Sequence, residues 1–247
     1  MTTMLNNNII KQTKFYLRQA ISIRLFICLL LSVMVAGFAK PNTNASSSTF
    51  LHYQESQALK SSQMQIKGIN PKVLQLAQKA HQKARAMGYA KKSTMTIIDY
   101  SMPSTSRRMW VVDMNNHKVI YNTLVAHGSG SGDNHAKRFS DVPGSLQSSL
   151  GVFVTGKTYQ GKHGLSLTLH GLENGINGNA ERRKIVIHGA NYVSDSAAKN
   201  LGRLGRSWGC PALDHRLSTP VINTIKDGSL VFAYYPDDKW LKRSKFL

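Results

Sequence analysis

The sequence predicts a mainly β domain of the α+β type, a sandwich or barrel with a few short helices, preceded by one amphipathic helix. Three observations predict it. Apolar residues recur at helical spacing between Asn70 and Gly88, and from Ser93 onward their period falls to two. Seven short stretches rich in β-branched and aromatic residues then follow, and turn signals such as Asn115-Asn116 and Asp227-Gly228 separate several of them.

The chain begins with a segment that reads as an address. Lys11, Lys14, Arg18 and Arg24 are basic, no acid precedes Glu55, and an apolar run from Leu25 to Ala39 ends in Gly37-Phe38-Ala39. Residues 1–39 therefore read as a signal peptide with a long charged leader, or as a membrane anchor that uses residues 14–39. The apolar run has 15 residues, short of the ~20 that span a bilayer. Residues 40–69 are rich in Ser, Asn, Gln and Thr and poor in apolar side chains, the composition of a flexible linker. Residues 70–247 are then left for one domain of ordinary size.

At Asn70-Pro71 an N-cap residue meets a proline suited to the first helical position. Val73, Leu74, Ala77, Ala80, Ala84 and Met87 then line one face, so a helix is expected over 70–88. Strands are expected at Thr94–Tyr100, Met109–Met114, Val119–Ala126, Val152–Thr155, Leu165–Leu169, Ile185–Ile187 and Leu230–Tyr234. A short helix with Pro220 in its first turn is expected from Thr219 to Lys226. The run Gly128-Ser129-Gly130-Ser131-Gly132 suits neither strand nor helix; it reads as a mobile loop over a site or as a hairpin connection.

Charge narrows the partners. The leader takes four of the 32 Lys and Arg residues and none of the 12 acids, so the remainder carries 28 basic against 12 acidic residues. That excess of +16 serves solubility or draws an anionic partner. The basic residues are spread along the chain without interleaved aromatics, which argues against nucleic acid. For an exported chain, an anionic cell-wall polymer is the better fit. Two cysteines become one once a leader is removed, and a lone thiol in an oxidising compartment is reactive, awaits another chain, or is simply packed.

The chemistry concentrates between Arg182 and Leu213. A short strand, Lys184 to Ile187, delivers His188 to its end, where Gly189 and Ala190 are expected to leave open space around the imidazole. Twenty-two residues later Ser207-Trp208-Gly209-Cys210 sets the remaining thiol in a glycine-containing turn. Only the thiolate attacks, and an imidazole can take the thiol proton and later return it to a leaving amine. Glycine lets backbone N–H groups approach an oxyanion. Arg203 and Arg206 would favour the thiolate and bind a substrate carboxylate. From spacing alone, a Cys/His catalytic pair and a packed cysteine with a merely hydrogen-bonded histidine both fit.

At these residues the sequence resembles the L,D-transpeptidase catalytic family, in its murein L,D-transpeptidase branch. The matching stretches are His188-Gly189-Ala190 and Gly202 to Ala212, with further similarity at Gly161-Lys162-His163-Gly164, Leu169-His170-Gly171-Leu172-Glu173 and Gly175-Ile176-Asn177. The resemblance implies an L,D-transpeptidase-like, mostly β catalytic domain in which Cys210 is the acyl-forming nucleophile and His188 the general base. Gly209 and Ser207 complete the catalytic turn, and Arg206, Arg203, Trp208, Gly189 and His170 are the substrate-binding candidates. It implies peptidoglycan stem peptides as partners, no cofactor and no metal, and a place in the periplasm or cell envelope. In the family's better-known branch a histidine stands two residues before the cysteine and an asparagine or arginine two after it. Trp208 and Ala212 hold those places here, which keeps a non-catalytic wall-binding protein as the rival from another class; an L,D-carboxypeptidase that hydrolyses the same bond is the rival within it.

Two further patterns compete. Gly151 to Thr158 fits the phosphate-loop string G-x-x-x-x-G-K-[ST], but Val152 to Thr155 favours a strand where that mechanism needs a loop opening a helix. Histidines 163, 170, 188 and 215 with Cys210 could hold zinc, yet no pair has compact helical ligand spacing.

Overall fold

The computed structural model describes residues 66–247. The expected leader and the part of the expected linker before Ile66 lie outside the described residues. Of the last four linker positions, Ile66 and Ile69 are buried against the core, whereas Lys67 and Gly68 are exposed. Among the described residues no helix is long and apolar enough to cross a membrane.

Helix α1 runs Pro71–Ala86, with the Asn70 side chain accepting from Lys72 N and Pro71 opening the first turn. Its apolar face buries Val73, Leu74, Ala77, Ala80 and Ala84 against strands β1, Thr94–Asp99, and β8, Leu230–Tyr234. The remaining strands are β2 Met109–Asp113, β3 Lys118–Thr123, β4 Gly151–Gly161, β5 Gly164–Gly171, β6 Val186–Ala190 and β7 Ala212–Asp214. All eight form one sheet in the order β3-β2-β1-β8-β4-β5-β6-β7. Beyond the end of β3, Ala126 exchanges backbone hydrogen bonds with Ala212 of β7, so the two sheet edges meet and the sheet nearly closes into a barrel. Interior-facing side chains, among them Ile97, Trp110, Leu167, Ile187 and Phe232, make the core.

The seven expected strands are present, β6 runs on to Ala190, β7 had no expectation, and one further strand and one helix depart from their expected bounds for physical reasons. Strand β4 extends to Gly161 rather than stopping at Thr155, because Gly156 and Lys157 form a register shift against β5 and the ladder then resumes. The phosphate-loop string is thus a strand paired with β5 and β8, without the loop-to-helix geometry that phosphate binding needs. The second expected helix starts four residues early: α3 spans His215–Ile225, capped by Asp214, whose carboxylate accepts from Arg216 N. Pro220 lies inside it rather than in the first turn. Two short helices had no expectation, α2 Asp195–Leu201 and α4 Asp238–Arg243, each opened by a side-chain cap from Ser194 or Asp237.

The stretch Leu169 to Asn177 is a structural staple. Asn177 is fully buried; its side chain accepts from Glu173 N at 2.9 Å and donates to Leu150 O and Val152 O at 2.9 and 3.1 Å. Glu173 Oε2 accepts from Val152 N and from Trp240 Nε1. Asn177→Ala strands one buried N–H and leaves Leu150 O without that partner, so a loss of about 3 kcal/mol is expected. For a domain of this size that lowers Tm by roughly 10 °C. Scanning calorimetry checks it, and a change below about 2 °C would contradict the staple role.

Candidate active site

Strand β6 sits between β5 and β7, with His188 opposite Ser166 on one side and Ala212 on the other. Two residues before Ala212, Cys210 falls against Val186, whose N–H donates to Cys210 Sγ at 3.4 Å, and the thiol in turn donates to Lys184 O at 3.6 Å. His188 on β6 and Cys210 in the turn leading into β7 are therefore separated by roughly one strand spacing (~4.8 Å) across and two residues (~6.6 Å) along. The cysteine is half-buried and His188 is buried.

The tautomer of His188 follows from its partner. Nδ1 lies 2.9 Å from Gly189 O, and a carbonyl only accepts, so Nδ1 carries the proton and Nε2 is left with a free lone pair. Burial lowers the His188 pKa; the Gly189 carbonyl works the other way, and His163 lowers it further. The His163 ring stacks on His188 with centroids 4.5 Å apart and planes at 27°. Burial also raises the Cys210 pKa, against the opposing pull of the Val186 N–H and the Arg183 charge. The resting pair is a neutral thiol and a neutral imidazole.

The nucleophile turn is held by its own side chains. Ser207 is buried; its hydroxyl donates to Cys210 O at 2.6 Å and accepts from Gly209 N at 3.1 Å. Gly209 has φ +130°, where a side chain is strained, and a Cβ there would lie 2.8 Å from Gln147 O. Ser148 Oγ donates to Gly209 O and accepts from Gly128 N. The Gly128–Gly132 run contains a short 3₁₀ turn, Ser129–Ser131, tied to the nucleophile loop through Ser129 N to Ser207 O at 2.8 Å. It is not a hairpin connection, because β3 and β4 are not neighbours in the sheet.

Beneath this loop lies a buried cation. Arg108 is fully enclosed, donates to Val125 O and Met102 O, and reaches His127 Nδ1 at 2.7 Å. A guanidinium only donates, so His127 accepts at Nδ1. Burial, followed by Arg108, pushes the His127 pKa down to about 4. The His127 carbonyl accepts from Ser207 N, which links this centre to the turn.

The other expected residues are placed differently. Arg206 forms an ion pair with Asp133 at 2.7 Å and donates to Gly132 O, while Arg203 donates to Leu204 O. The arginine whose charge acts on Cys210 is Arg183. Gly189 does not leave open space beside the imidazole: a Cβ there would meet Ser218 Oγ at 2.6 Å and His215 Nδ1 at 2.9 Å, because α3 packs against it. Trp208 is 82% exposed beside the turn. His170 pairs with Glu181 at 3.0 Å and lines a groove of about 760 Å³ with Lys91, Lys157, Thr168 and Asp227; neither Cys210 nor His188 lines that groove. Among the described residues no three His, Cys, Asp or Glu side chains gather as a metal-binding group.

Sequence reasoning passed over Arg183 and His163 as site residues. Arg183 lay inside the segment singled out, and its signal was a basic residue in the turn feeding the histidine strand. His163 sits in the turn between β4 and β5, and only a correct pairing of Ser166 with His188 would have revealed it.

The family model described as L,D-transpeptidase catalytic domain matches residues 65–234. No curated protein matches the sequence. Several solved structures are similar. The helical cell shape determining protein Pgp2 from Campylobacter jejuni is 14% identical, with 65% of this chain and 57% of that one covered at a TM-score of 0.39. An L,D-transpeptidase from Mycobacterium smegmatis is 10% identical, with 58% and 59% covered at 0.35. An L,D-transpeptidase from Stackebrandtia nassauensis is 16% identical, with 85% and 88% covered at 0.35. The chain thus spans under two thirds of the first two structures.

Proposed function

Because the chain belongs to the L,D-transpeptidase catalytic domain family, we propose that it is an exported, cysteine-dependent L,D-transpeptidase acting on peptidoglycan tetrapeptide stems. The observation that carries this reading is the placement of Cys210, in the turn leading into β7, beside strand β6, which bears His188, with His188 Nδ1–H on Gly189 O so that Nε2 is available as base. Export is supported by the basic leader and apolar run of residues 1–39, and an anionic wall polymer suits the +16 charge of the remainder.

In this reading His188 Nε2 takes the Cys210 proton as sulfur attacks the carbonyl that joins the third stem residue to the terminal D-Ala. The C–N bond breaks, the amine of D-Ala leaves with the proton from His188, and a thioester remains on Sγ. An amine of a neighbouring stem then attacks the thioester, passes its proton to His188, and restores the thiol through it. The product is a cross-link between third residues. Water in place of the amine yields a tripeptide.

The test is mass spectrometry of muropeptides after incubating the full chain with purified wall. Dimers cross-linked through third residues, together with released D-Ala, are expected. Tripeptides without such dimers would assign hydrolysis instead, and an unchanged profile with the protein bound to the wall would overturn the enzyme reading.

A further inference from the structure

The sulfur of Cys210 sits where ionisation is unfavourable, half-buried and donating to a carbonyl. Something must offset that cost if the thiolate is to form. Of the surrounding groups, one N–H from Val186 and one cation do so. The cation enters from a helical turn between Asn179 and Lys184, where Arg183 N bonds to Asn179 O and Ile185 N to Ala180 O. Lys184 follows at φ 55°, and this reversal leads the chain into β6 while turning Lys184 O toward the sulfur.

The seating of Arg183 is unusual for an arginine. Nη1 donates to Ser140 O and Ser149 Oγ, both at 2.6 Å; Nη2 donates to Gln147 O at 2.6 Å and Ser145 Oγ at 3.2 Å. All four acceptors are neutral oxygens of one loop. Among the described residues Arg183 forms no ion pair. Asp141, the acid that acts on it, spends its carboxylate on Asn179 N. The guanidinium is therefore held rigidly while its charge stays uncancelled by contact. It also abuts the nucleophile turn, because Nη2 lies 3.2 Å from the position a Gly209 Cβ would take.

We propose that Arg183 is the positioning residue that stabilises the Cys210 thiolate, a fixed cation clamped by the 140–149 loop against the turn that carries the nucleophile. It neither gains nor loses a proton: the Cys210 proton goes to His188, and Arg183 favours the charge left on sulfur. This role rests on Cys210 as nucleophile, but it concerns the sulfur alone. Arg203 and Arg206, nearer in sequence, are turned to other partners.

The test is the pH dependence of iodoacetamide alkylation in the full chain, read at Cys210 by peptide mass. Arg183→Gln is expected to raise the alkylation midpoint by about one pH unit, and so to slow alkylation near neutral pH by about tenfold. Arg183→Lys, which keeps a charge but loses the forked hydrogen bonds, should restore most of that shift. A merely structural arginine would lower Tm in both variants and leave the midpoint in place, and that result overturns the proposal. Should Arg183→Gln fail to fold, Asp141→Asn removes the opposing carboxylate and should lower the midpoint; an unchanged or raised midpoint there also overturns it. Because alkylation needs no wall peptide, a shifted midpoint without transpeptidation would sustain this proposal while sinking the functional reading.

Discussion

Cys210→Ala is expected to abolish covalent adduct formation with a tetrapeptide stem or a carbapenem and to leave the fold intact. Both halves follow from the geometry. The sulfur makes two long contacts, 3.4 Å from Val186 N and 3.6 Å to Lys184 O, so its removal costs about 1 kcal/mol or less. The variant would keep the bond from Ser207 Oγ to the backbone carbonyl at this position, and the turn would hold. No substitute nucleophile is at hand: the Ser207 hydroxyl is committed to that carbonyl, and Cys210 is the one free cysteine among the described residues. Intact-mass spectrometry of wild type and variant after equal exposure, beside their melting curves, checks the expectation. Undiminished acylation of the variant would remove Cys210 from its role.

Much of this arrangement was legible in the sequence. The period-two stretches gave the strands because their inward positions are apolar on a closed sheet, and Asn70-Pro71 gave the start of α1 because cap and first-turn chemistry are local. Cys210 and His188 stood out by residue type and by glycine context. The parts that stayed hidden depend on pairing. Arg183 reads as one basic residue among 32 until the 140–149 loop folds over it. Gly189 reads as open space until α3 fills it. Pro220 misled because its preference for a first turn is statistical, whereas the Asp214 cap and the apolar face of Val221, Ile222 and Ile225 hold α3 through it. Arg206 misled for a similar reason: nearness along the chain placed it at the thiol, while Asp133 claims it in space.

The buried histidines also make an acid-sensitive protein. His188 and His127 both have folded pKa values below the usual 6.5, so each binds its proton less readily folded than unfolded. The stability each contributes is fully present above pH 6.5 and is lost as pH falls through the folded value, about 4 for His127. That window lies below the working range of a neutral imidazole base, so the same burial that keeps His188 unprotonated contributes to the loss of stability expected in acid.

His188→Ala is the second substitution with a large expected effect, a fall in acylation rate of roughly 10²-fold or more. The argument turns on Nε2. With Nδ1–H fixed on Gly189 O, the ring can offer only Nε2 as base, and the resting thiol cannot ionise unaided because burial has raised its pKa. His188→Gln would keep a polar group of similar reach yet supply no base, so it should fall as far as alanine; recovery of most of the rate by glutamine would show that shape rather than proton transfer matters. The pH profile gives an independent reading. In wild type the acid limb of acylation should lie below 6.5, since burial and then the stacked His163 hold the base neutral. His163→Gln removes the like charge that opposes protonation of His188, so the limb should move to higher pH while the plateau rate changes little. Stopped-flow acylation between pH 4 and 8 measures both, and a limb that stays put in the His163 variant would detach that ring from the control of the base.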